Sequence, residues 1–164
     1  DGKKENFLNE NEIKNLLIPR GTLTEEERNV INNHIVMTIK MLESLPFPKH
    51  LKNVSEYAGG HHERMDGKGY PKGLTREQMS IQARIMAIAD IFEALTASDR
   101  PYKKAKTLSE SLFILGKMKQ NQHIDPDLFK VFIDQKIYLS YGEKFLGPEQ
   151  IDEVIKEDIP GYLD

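Results

Sequence analysis

Two adjacent imidazoles, His61 and His62, are followed at once by the carboxylate of Glu63, and three residues later by Asp66-Gly67-Lys68-Gly69-Tyr70-Pro71. The chain has no cysteine, so a metal site here must be built from imidazole and carboxylate, donors that suit iron, manganese, zinc or nickel. Neighbouring residues on a helix diverge by about 100°. Both imidazoles can therefore serve a metal only if the helix end is irregular or if a pair of ions is present. Gly67 and Gly69 allow positive φ and close backbone approach, and Pro71 stiffens the exit, so the run can display chemistry on a rigid turn.

Other candidates are single residues that gain meaning from this cluster. His34 sits on the flank of an apolar helical stripe, where a histidine is more often hydrogen-bonded and half-buried than a ligand. Asp90 falls in the middle of a helical face of alanines and methionines, and a carboxylate there needs a cationic partner: Arg84, Arg64 or a metal ion. His50 and His123 lack clustered partners and read as surface or structural groups. Arg100, Lys103 and Lys104 form a compact basic group near the motif in sequence. They are either a solvated helix entry or a local site for a phosphodiester.

The elements that must position these residues read as helices. Glu12 to Ile18 makes a short one, ended by Pro19-Arg20-Gly21. Thr24 with Glu27 is a capping box, and Ile31, Ile35, Thr38, Leu42 and Leu45 continue at helical spacing until Pro46. A further helix is expected from near Pro48 to Gly59-Gly60, whose glycines leave room for close approach. Arg76 to Ser98 reads as the longest helix, with Met79, Ala83, Met86, Ala87, Ala94 and Ala97 on the face that holds Asp90. Thr107 with Glu110, then Asp125-Pro126, open two more, on Leu108, Leu112, Leu115 and Met118 and on Leu128, Phe129, Phe132 and Ile133. Gly147-Pro148 starts a short last helix. No alternating strand and no repeat is evident, which gives an all-α domain of about six to seven helices.

The whole chain fits that picture. Its 164 residues suit one domain with a sizeable core, at 38% hydrophobic and 30% charged residues. A net charge of −3 argues against broad binding to DNA or to an anionic membrane, so an anionic ligand must be met locally. No apolar run reaches the ~20 residues of a membrane span. The absence of cysteine fits a reducing compartment, hence a cytoplasmic location.

Taken together, His61-His62-Glu63, Asp66-Gly67 and Gly69-Tyr70-Pro71 resemble the HD-GYP family of metal-dependent phosphohydrolases. Ala89-Asp90, Ala94-Leu95-Thr96, Arg100-Pro101-Tyr102-Lys103 and the helix carrying His34 support the resemblance, which extends from about Pro19 to Phe132. It implies an all-helical fold around two or three divalent ions, iron or manganese first, that hydrolyses cyclic di-GMP to its linear dinucleotide or GMP. Carried over, His34, His61, His62 and Asp90 are metal ligands, Gly69, Tyr70 and Pro71 line the substrate site, and Arg100 and Lys103 hold phosphate. Glu63 and Asp66 become supports of the ligands and the turn.

The family's namesake His-Asp pair should precede His34, and no His-Asp dipeptide occurs in the sequence. The expected reading is a single domain: residues 1–18 a polar lead-in and short helix, 19–140 the helical core, 141–164 a short helix and tail. It would be the C-terminal part of an HD-GYP domain, with the pair and a sensory or receiver domain upstream, a possible homodimer, and weak or no activity alone. A degenerate domain that binds a dinucleotide or a protein without hydrolysis is the alternative, as is action on another phosphoester.

Overall fold

The helices form where apolar residues recur at helical spacing and a polar side chain caps the first turn. The computed structural model describes residues 7–17, 23–98 and 105–163. Among them there are eight α-helices and no strand, apart from an isolated antiparallel bridge between Asp66 and Thr75. Helix α1 (Glu10–Leu16) begins two residues earlier than expected because Asn9 and Glu12 make their own capping box.

The Thr24 and Glu27 capping box opens α2 (Glu25–Asn32) as expected. The helix then breaks at Asn33 and restarts as α3 (His34–Glu43), which puts His34 at a helix start rather than within one. Of the expected stripe only Ile35 is fully buried, while Ile31 and Leu45 are about half exposed, at 51% and 48%. After a 3-10 turn at Lys49–Leu51, α4 (Val54–Gly59) runs to Gly60. A Cβ on Gly59 would come within 2.7 Å of Ile39, and one on Gly60 within 2.8 Å of the Ala83 Cβ, so the two glycines let three helices meet just before His61.

Helix α5 (Ile81–Thr96) starts later than Arg76, because Arg76–Gln78 is a separate 3-10 turn and Ser80 is the N-cap. Helices α6 (Leu108–Gln120) and α7 (Pro126–Asp134) have the expected caps, Thr107 and Asp125. Helix α8 (Ile137–Phe145) follows Lys136, whose φ of 51° lies in the left-handed region. Gly147-Pro148 leads only into a 3-10 turn, Pro148–Gln150.

The core lies in the second half of the chain. Ile88, Phe92, Leu108, Leu112, Leu115, Ile124, Phe129, Ile133, Tyr138 and Ile159 form one buried cluster drawn from α5 to α8 and the C-terminal segment. Helices α3 and α4 pack on each other, and α4 packs on α5. No described helix is long and apolar enough to cross a membrane.

Candidate metal centre

The adjacent histidines are not on a helix at all. Helix α4 stops at Gly59, the Glu63 amide donates back to the Gly60 carbonyl at 3.1 Å, and His61 and His62 lie in the resulting turn. The turn removes the divergence that a helix would impose. Each of His34, His61 and His62 offers a ring nitrogen within 4.8 Å of the others.

Backbone carbonyls orient two of the rings. The His34 Nδ1 lies 2.5 Å from the Ile31 oxygen and the His61 Nδ1 2.7 Å from the Ala58 oxygen, so in each ring Nδ1 is the donor to a carbonyl and Nε2 is the nitrogen left for another partner. The His62 Nε2 lies 3.2 Å from the His34 Nε2. Burial, and next the field of His61, hold the His62 pKa down to about 4 against the opposing pull of Asp90. Three imidazoles with ring nitrogens this close are a donor set that a divalent ion fits.

Tyr70 forms a wall on this cluster. Its ring stacks on His62 with centroids 4.8 Å apart and planes 20° apart. The loop that presents it is held from inside by Glu63, which is fully buried and accepts the Lys72 amide at 2.7 Å and the Leu74 amide at 2.8 Å. Gly69 must be glycine, since a Cβ there would sit 2.5 Å from the Glu63 Cα and the Arg64 nitrogen. Gly67 has a φ of +73°, and the Tyr70-Pro71 peptide is cis. Asp66 takes a two-pronged hydrogen bond from Arg64, at 3.0 and 2.9 Å, and the Lys68 amide at 3.1 Å. The Arg64 hydrogen bond holds the Asp66 carboxyl down to about 2.

Asp90 departs from expectation. It is exposed on α5 rather than buried, and neither arginine considered for it is its partner: Arg84 pairs with Asp125 and Arg64 with Asp66. The face turned as it does because Ile88 and Phe92 share the buried side with Ala83 and Ala87, while Met86 is exposed. Asp90 stands outside the three-histidine cluster, yet its charge raises the pKa of both His62 and Tyr70. Arg100, Lys103 and Lys104 lie outside the described residues. His50 is exposed, and half-buried His123 has its Nδ1 3.5 Å from Arg64. An open depression of about 550 Å³ beside Tyr70 and Pro71 is also lined by Asn29, Val30, Asn33 and Val36. Sequence reasoning missed Arg64 and Arg76 as loop anchors, because the Asn121 carbonyl that Arg64 reaches and the Asp125 that Arg76 reaches lie about fifty to sixty residues away.

A family model described as HD domain matches residues 11–128. The chain belongs to the HD domain family. The resemblance to the HD-GYP branch agrees with the relatives. A 3'3'-cGAMP-specific phosphodiesterase of Vibrio cholerae is 38% identical over 71% of this chain and 25% of its own length. A cyclic di-GMP phosphodiesterase of Pseudomonas aeruginosa is 38% identical over 69% of this chain and 26% of its own. Another of that name from Thermotoga maritima is 40% identical over 58% of this chain and 26% of its own. The chain thus spans about a quarter of the length of these relatives. Helix α8 and the C-terminal segment lie beyond the residues that the family model matches.

Proposed function

We propose that this chain is the metal-binding, C-terminal part of a cyclic dinucleotide phosphodiesterase, acting on cyclic di-GMP or its close relative 3'3'-cGAMP. The observation that carries the reading is the convergence of His34, His61 and His62 with Tyr70 stacked against them. The names of the relatives supply the substrate class. In this reading His34, His61, His62 and Asp90 hold two or three divalent ions, iron or manganese. A divalent ion at such a site supplies Lewis acidity and lowers the pKa of water near a phosphodiester. Gly69, Tyr70 and Pro71 receive the dinucleotide, Arg100 and Lys103 hold its phosphates, and Glu63 and Asp66 keep the turn in shape.

The sequence contains no His-Asp dipeptide, and in this reading an upstream segment of the parent protein would supply the family's His-Asp pair. In this reading the parent is a cytoplasmic signalling enzyme with a sensory or receiver domain before this single domain. The test compares this chain with the longer parent, each loaded with Mn(II) or Fe(II) and given cyclic di-GMP and 3'3'-cGAMP. Linear product from the parent, and little from the chain alone, is the expected result. A metal-loaded parent that gives no product overturns the reading.

A second reading is favoured by one observation, that Asp90 stands apart from the histidine cluster. It is a domain that binds the dinucleotide without hydrolysis. Calorimetric binding that survives chelation, with no product formed, would establish it.

A further inference from the structure

The loop that presents Tyr70 leaves the turn after Glu63 and returns at Arg76. Its base is closed by the Asp66 and Thr75 bridge and by the Arg76 amide, which donates to the Met65 carbonyl at 3.4 Å. Each stem carries an arginine, and both arginines reach one short stretch, residues 121–127, that runs from the end of α6 into the first turn of α7. From the outgoing stem, Arg64 donates to the Asn121 carbonyl at 3.0 Å while keeping its grip on Asp66. From the returning stem, Arg76 donates through Nε to Asp125 at 2.8 Å and through its other end to Asp127.

Asp125 is the hub. It is fully buried, caps α7 through the Asp127 amide at 2.9 Å and the Leu128 amide at 3.0 Å, and also receives Arg84 from α5. A buried carboxylate with this many charged and polar donors fixes their relative places, because any one of them left unpaired would be costly. Arg84 shares the hub but touches no loop residue, its remaining bond going to the Ser80 carbonyl.

We propose that Arg64, Arg76 and Asp125 form a clamp that seats the loop on the α6 to α7 turn and so sets the Tyr70 ring against His62. These are positioning residues: none touches the histidine cluster. The proposal rests on the reading of Tyr70 and His62 as parts of the working site. It also gives α7 a task in that site, since the clamp transmits the position of its N-terminus to the loop.

The experiment is NMR of the metal-free chain, following the His62 and Tyr70 ring protons in four variants, with far-UV circular dichroism as the control for fold. Arg76→Gln should displace the His62 ring signals by removing the stacked Tyr70 ring, and Arg76→Lys should restore them in part. Asp125→Asn, which keeps a side chain able to cap α7, should displace them at unchanged helicity. Arg84→Gln should leave them in place. Unmoved His62 signals in both Arg76→Gln and Asp125→Asn overturn the proposal. Equal displacement by Arg84→Gln does so too, because the network would then hold helices rather than the loop. The readout needs neither metal nor hydrolysis, so an inactive enzyme counts against the proposed function and leaves the clamp to be judged by these signals.

Discussion

A buried carboxylate that accepts two backbone amides, as Glu63 does, keeps its place only while both oxygens are acceptors. Glu63→Gln turns an NH2 toward one of those amides and should cost about 1–3 kcal/mol, read by denaturant unfolding. In the proposed reading Glu63 keeps the turn in shape, so the same substitution should also weaken metal binding, read by a Co(II) titration. His62 gives the pH signature. Its folded pKa of about 4 lies below the ordinary 6.5, so the stability it contributes is full above pH 6.5 and is lost as pH falls toward 4. An NMR titration of His62 in the metal-free chain checks this, and a midpoint near 6.5 would contradict it. At this scale the histidine pair and Glu63 were legible because their motif is local. The exposure of Asp90 was not, since helical spacing left open which side of α5 faces the core, and Ile88 and Phe92 decide that.

Among the elements, α7 shows how a cap acquires a second function. Asp125-Pro126 was readable as a helix start, but not as the acceptor of Arg76 and Arg84, which come from 49 and 41 residues away. Burial alone would raise the Asp125 carboxyl, yet the hydrogen bonds from Arg76, the Leu128 amide and Arg84 outweigh it and hold it below the usual 3.8. Its contribution is therefore present above pH 3.8 and lost as pH falls through the lowered value. Asp125→Ala removes the cap and strands two arginines, and should cost about 3–5 kcal/mol, against a smaller loss for Asp125→Asn, measured by thermal unfolding. The break at Asn33 and the start of α8 were not legible. No proline or glycine marks Asn33, and Lys136 adopts a left-handed conformation that its residue type does not announce.

For the molecule as a whole, the all-α class followed from periodicity and caps, while the distribution of the core did not. Buried apolar residues concentrate in α5 to α8, whereas Val30, Ile31, Met37 and Met41 on α2 and α3 remain half exposed or more. Leu112→Ala, at a fully buried core position, should then cost about 2–5 kcal/mol and leave the His62 titration unchanged, since it lies outside the centre. In the proposed centre three histidines, brought together by a helix start and a turn, hold a divalent ion. Titrating the chain with Co(II) and following its visible absorption tests this most directly, using the wild type and the His34→Ala, His61→Ala and His62→Ala variants. The expected result is a saturable signal in the wild type that each substitution weakens at least as much as loss of a supporting hydrogen bond would, roughly 10- to 100-fold in affinity. Equal binding by the wild type and all three variants would contradict it.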